Sequence, residues 1–198
     1  MTPVEIYNKV IQKGISYSQY NEMTRKMLET TNPDELPSAQ KENYGHAKLN
    51  TARSSRVEKT YSPSQAIKDA MGTITEPQVW MVITENWCGD SAQNLPAIVK
   101  IAELNPLVEL KIILRDDNPE IMEEFLTNGT KSIPILAAIK KEGEILFKWG
   151  PRPAGAVEVI KQAKAEGLEK EKMYERLHLW YAKDKSKELE SEFTRLVK

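Results

Sequence analysis

One cysteine, Cys88, stands among 198 residues. No internal disulfide can form, which excludes the stapled scaffold of small secreted domains and makes a reducing cytoplasm the expected compartment. Histidine is nearly as scarce: His46 and His178 lie far from Cys88 in sequence and make no metal-ligand spacing, so no metal is expected. Neither sign of charge is in excess. With 28 Lys and Arg against 29 Asp and Glu, the formal net charge is -1, which gives no support for a nucleic-acid partner or for an acidic membrane surface. Long apolar runs are missing too. The longest, Val79 to Ile83, is far too short to span a bilayer. The start, Met1-Thr2-Pro3-Val4-Glu5, lacks a basic stretch followed by an apolar one, so no signal peptide is expected.

What remains is an ordinary globular composition, 40% hydrophobic and 29% charged, on a chain long enough for one cored domain with additions. Residues 1–60 read as helical. Val4, Tyr7 and Ile11, with Val10 alongside, recur at helical spacing, and Tyr20, Met23 and Met27 do so after Gly14. Asn32 to Pro37 is a turn-rich linker, followed by a polar helix from Ser38 to about Lys59. Ser62-Pro63 opens a helix through about Met71. Four short apolar, β-branched runs follow as strands: 78–84, 108–114, 133–139 and 144–149. Glu142-Gly143 between the last two signals a hairpin. Helices are expected over 91–104, 119–126 and from about Ala154. That order is α/β, a central mixed sheet flanked by helices. The tail from Gly167 is charged and helical, with Met173, Leu177, Trp180 and Tyr181 in one apolar stripe. Leu189, Phe193 and Leu196 form a second, after a break near residues 184–186. Both stripes are expected to dock on the domain.

Cys88 falls just after a buried-type strand and just before a helix, in Glu85-Asn86-Trp87-Cys88-Gly89-Asp90-Ser91. The free N–H groups and dipole of a helix start favour an anion, and a thiolate is the attacking species of disulfide exchange. Gly89 would leave the backbone open to another chain. The competing reading is an inert, small core residue. Asp90 is either a tuning carboxylate, which disfavours a neighbouring thiolate, or an ordinary stabilising acid in the first helical turn.

The segment Trp87-Cys88-Gly89-Asp90-Ser91, with Pro96 further along, resembles the thioredoxin motif Trp-Cys-Gly-Pro-Cys and its helix proline. Downstream, Gly129 to Leu136, followed by Lys140-Lys141-Glu142-Gly143-Glu144, is similar to the thioredoxin stretch that carries the cis-proline. The resemblance covers about residues 61–168 and implies a thioredoxin-like fold. It divides the chain into a helical extension 1–60, a thioredoxin-like domain 61–168, and a helical extension 169–198 packed on it. It implies that Pro134 is cis and beside Cys88, that the Ile133-Pro134 backbone presents a substrate, and that Trp87 borders the site. The whole chain also resembles bacterial thioredoxin-family proteins with an extra helical N-terminal segment.

The departures set the chemistry. Ser91 stands where the family has its resolving cysteine, Asp90 replaces a proline, and Val82 takes the place of the buried acid. The expectation is monothiol thiol–disulfide exchange with Cys88 as nucleophile, acting on a protein or low-molecular-weight thiol or disulfide and needing no cofactor. Ser91 would hydrogen-bond the thiolate, and the thiol would be partly accessible with a lowered pKa. The alternative is a redox-silent thioredoxin-fold module that binds a protein partner. Cys88 to Ser91 also resembles the Cys-Gly-Phe-Ser motif of monothiol glutaredoxins, but their flanking lysine and glutathione-binding signatures are missing. Elsewhere, Asp116-Asp117 is expected to form a strand-end turn and cap the helix at Pro119, and Arg53 to Lys59 to be a solvated basic face. Trp80 and Trp149 are expected in the core.

Overall fold

Burial on both faces explains the first strand. β1 (Gln78–Thr84) is a β-branched and apolar run with every residue buried, as expected of a strand in the middle of a covered sheet. The computed structural model describes residues 1–198. β1 pairs in parallel with β2 (Val108–Leu114) and antiparallel with β3 (Ile135–Ile139), which pairs antiparallel with β4 (Ile145–Trp149), giving the order β2-β1-β3-β4. On the outer side of β2, Ile15 makes an isolated antiparallel bridge to Ile112.

The period-2 alternation of the strands sorts the core into two halves. Trp80, Val82, Ile112, Leu136 and Ala138 belong to one apolar cluster. Val79, Met81, Ile83, Ile113, Ile135, Ala137 and Ile139 belong to the other. The first half is roofed by α4 (Gln65–Met71), α5 (Gly89–Ala102) and α9 (Lys187–Leu196). α1 (Pro3–Lys13) and the short α6 (Pro119–Met122), which runs on as a 3-10 turn over Glu123–Phe125, cover the second half. α3 (Ser38–Thr60) lies along α5, and α2 (Tyr17–Thr30) packs against α3 and β2, with Tyr20 and Val57 in the first cluster. α7 (Ala154–Ala165) and α8 (Lys170–Asp184) pack together through Ala156, Leu177 and Tyr181.

Several local expectations shift. α1 turns Ile6 and Val10 inward with Tyr7 packed partly buried beside them, and leaves Val4 and Ile11 exposed. The α4 cap is Ser64, two residues beyond Ser62, and the Ser64 N–H is taken by the Glu190 carboxylate of α9. β3 begins after Pro134, whose missing N–H cannot join a ladder. The cap of α6 is Asn118, not Asp116 or Asp117, and Asp116 pairs with Arg115 instead. The tail stripes dock. Phe193 of α9 lies edge-on to Trp80 and Trp149, at 5.5 Å from each ring centre, while Leu196 stays exposed. The break between α8 and α9 falls at Lys185 and Ser186, both in the left-handed region with φ of 56° and 64°.

Candidate functional site

The turn from β1 into α5 makes Cys88 the N-cap of α5, with the helix opening at Gly89, two residues ahead of the expected start. The Cys88 N–H donates to the Glu85 carbonyl at 3.1 Å. The Ile133-Pro134 peptide is cis, and the Cys88 thiol donates to the Ile133 carbonyl at 3.3 Å. Tertiary packing thus brings together residues forty-five positions apart. Pro134 is buried behind them, with Gly150 pressed against its carbonyl at φ +123°, where a side chain would collide. Trp87 is half-buried, and the Arg115 guanidinium sits over its ring at 4.7 Å. Arg115 also donates to the Lys131 carbonyl, tying the β2 end to the loop before Ile133.

Two expectations about the thiol are overturned. Cys88 is 8% exposed, one of the buried apolar cluster rather than partly open. Its pKa is pushed up to about 11, first by burial and then by the Asp90 carboxylate. Hydrogen bonds from the Ser91 side chain and from the Ser91 and Asp90 backbone favour the thiolate, yet they do not offset the loss of solvent.

Asp90 is neither a surface helix-start acid nor free. It is 5% exposed. Arg152 grips it with two bonds, Nε to Oδ1 at 2.9 Å and Nη2 to Oδ2 at 2.6 Å. The Tyr181 hydroxyl of α8 adds a third at 2.7 Å, and Asn94 bridges the Tyr181 hydroxyl to the Asp90 carbonyl. Burial still raises the Asp90 pKa, because desolvation outweighs Arg152 and Tyr181.

Gly89 does not face an open channel. A Cβ there would meet His178 Cε1 at 2.9 Å and Arg53 Nη1 at 3.5 Å. Arg56 and Lys59 stay exposed, as expected of a solvated face, but Arg53 is half-buried and donates to Asn50 at 2.8 Å within α3, while Arg56 also donates to Gln93 of α5 at 2.7 Å. His178 shares a 3.1 Å hydrogen bond with Gln93, and burial lowers its pKa to about 4. Ser91 is 1% exposed and accepts from Thr84 at 2.6 Å.

Glu85 was not foreseen as a site residue. It is 8% exposed at the end of β1, and its carboxylate accepts the Asp116 N–H at 2.8 Å. Burial pushes its pKa to about 7. Its place three positions before the cysteine was the only sequence signal. Arg152, Tyr181 and His178 carried none, because each reaches the motif from a distant element. No group of three or more His, Cys, Asp or Glu is arranged to hold a metal ion, and no helix is long and apolar enough to cross a membrane.

The fold has solved relatives. A crystal structure of a Pseudomonas aeruginosa protein of unknown function superposes with a TM-score of 0.60 at 16% identity, covering 96% of each chain. A crystallised HIV epitope-scaffold superposes with a TM-score of 0.55 at 17% identity, over 77% of this chain and 81% of that one. Among curated proteins none matches. The sequence profile described as thioredoxin matches residues 38–164, over the same stretch in which helix start, cysteine and cis-proline come together, and the chain belongs to the thioredoxin family.

Proposed function

We propose that this chain is a thioredoxin-fold module that binds a protein partner and holds Cys88 at rest as a protonated thiol. One observation carries the reading: the thiol is buried, donates to the Ile133 carbonyl, and has a pKa near 11. At pH 7 such a group is about one part in ten thousand thiolate, too little for fast exchange. The half-buried Trp87 would form part of the partner-facing surface, and the buried Ile133-Pro134 backbone with Gly89, Asp90 and Ser91 would fix the thiol and the helix start behind it.

A second reading, monothiol exchange at Cys88, is favoured by the cysteine lying at the N-cap of α5 against the cis peptide. There the Cys88 thiolate would attack a partner disulfide. The new S–S bond forms on Cys88, the partner's other sulfur leaves as a thiolate and takes up a proton, and an external thiol later clears the mixed disulfide. Ser91 cannot.

Iodoacetamide alkylation of the native protein across pH decides between them, with Cys88→Ala as the blank. The first reading expects a midpoint near 11, and a midpoint at or below about 8.5 overturns it. Passing cell extract over native and Cys88→Ala proteins gives a second readout. Partners retained equally by both support the module. Partners held only by the native protein and released by reductant support exchange.

A further inference from the structure

Two cations beside the cysteine motif have no counter-charge. Arg25, Arg115, Arg152 and Arg176 each pair with a carboxylate. Arg53 and Arg56, neighbours on one face of α3, meet only amide oxygens, those of Asn50 at 2.8 Å and Gln93 at 2.7 Å. Asp90 is the acid that Arg53 feels, but both arms of Arg152 and the Tyr181 hydroxyl already hold it. Arg53 is also half-buried, so water screens its charge only in part.

A neutral N–H stands beside these charges. The Arg56 guanidinium can only donate, so the Gln93 oxygen faces Arg56 and the Gln93 NH2 faces His178 Nδ1 at 3.1 Å. Nδ1 must then accept, which puts the ring proton on Nε2. A Cβ on Gly89 would lie 3.0 Å from His178 Nε2 and 3.5 Å from Arg53 Nη1, so the two donors converge over Gly89. No acceptor in the chain takes the Nε2 proton. The Thr24 hydroxyl is the one fully buried side-chain polar atom without a partner, so Nε2 is open to solvent. After burial, the charges of Arg53, Arg56, Arg152 and His46 lower the His178 pKa further. The ring therefore stands uncharged in positive surroundings.

We propose that Arg53, Arg56 and the His178 Nε2–H form a carboxylate-binding site above Gly89, between α3 and α8, and that it takes an acidic side chain of the partner protein. A guanidinium fork with one added N–H suits the two oxygens of a carboxylate. Asn50 links the site to the half-buried Trp87, because it accepts from Arg53 and donates to the Asn86 carbonyl at 2.9 Å. That the carboxylate comes from a protein rests on the binding-module reading; the carboxylate chemistry does not.

The test uses the full chain, labelled with ¹⁵N, at low salt. The probes are acetyl-Gly-Glu-Glu-Gly-amide, its Gln-Gln counterpart and inorganic phosphate. The glutamate peptide is expected to give saturable amide shifts at Asn50, Gly89 and Gln93, and the glutamine peptide none. Salt at about 0.3 M should weaken binding at least about fivefold. Arg53→Gln should weaken it about tenfold, and Arg56→Gln, at an exposed position, about fivefold, with circular dichroism unchanged. A long-range ¹H–¹⁵N spectrum should show His178 as the Nε2–H tautomer. Absence of saturable shifts overturns the proposal. So do equal binding of the two peptides, tighter binding of phosphate, unchanged binding in Arg53→Gln, or a His178 ring protonated on Nδ1 alone. Cys88→Ala should bind the peptide as the native chain does. No peptide binding with an alkylation midpoint near 11 overturns this site alone. A midpoint at or below about 8.5 with the peptide still bound overturns the module reading alone.

Discussion

Arg152 holds Asp90 with both arms of its guanidinium, from a loop sixty-two positions away. The pair locks the start of α5 to the segment entering α7, and Tyr181 adds α8 to the same carboxylate. Arg152→Ala should cost about 3–5 kcal/mol, because it strands a buried carboxylate. Asp90→Asn should cost less, since Arg152 is 22% exposed and can turn to water. It should also lower the Cys88 midpoint, though only in part, as burial is the larger cause of its elevation. Denaturant midpoints and alkylation profiles check both. An unchanged thiol midpoint in Asp90→Asn would refute the coupling.

Gly89 is small because His178 occupies the space beside it. Gly89→Ala places a methyl 2.9 Å from His178 Cε1, and overpacking of this kind costs about 1–3 kcal/mol. The double variant Gly89→Ala with His178→Ala should recover most of that loss. A double-mutant cycle with no interaction energy would mean that α8 does not press on the motif.

Glu85 and His178 should give opposite pH signatures. The folded Glu85 keeps its proton up to about 7, whereas an unfolded glutamate releases it near 4.5. Between those values the folded state binds more protons, so stability falls as pH rises, by an amount on the order of 3 kcal/mol. His178 titrates near 4 folded and near 6.5 unfolded. There the unfolded state binds more protons, so stability falls as pH drops through that window, by an amount again on the order of 3 kcal/mol. Relative to the native protein, Glu85→Gln should gain stability from about pH 4.5 to 7, and His178→Gln should gain it from about pH 6.5 down to 4. Urea unfolding at three pH values checks the signs, and parallel curves would contradict both.

Ser91→Cys should place a second sulfur one helical turn from Cys88. Mild oxidation should then consume both thiols, and the variant should gain dithiol reductase activity that the native chain lacks. The gain should be modest. The new thiol replaces a hydroxyl that Thr84 now bonds at 2.6 Å, and Val82 supplies no acid to activate it. Thiol counting before and after oxidation reads the result directly. Two persistent free thiols would argue against the geometry at the start of α5.

Local signals in the chain were enough for the framework. The apolar runs at 78–84 and 108–114 and the hairpin before Ile145 each act through near neighbours, and β1, β2 and the order of elements follow from them. The pairing of Cys88 with Pro134 was legible only through the family pattern. The solvent exposure of Cys88 was not legible at all, because burial is a property of everything packed nearby.

The sequence by itself determined which residues could do chemistry: one thiol, no second one to resolve it, and a carboxylate and a hydroxyl in the motif. Those are covalent facts that no packing alters. Tertiary structure decided the state in which they stand. The Cys88 environment withdraws water from the thiol, and α8 sets His178 over Gly89 and Tyr181 on Asp90. A pKa is the difference in free energy between two charge states in one surrounding medium, and that medium is built by elements far apart in the chain.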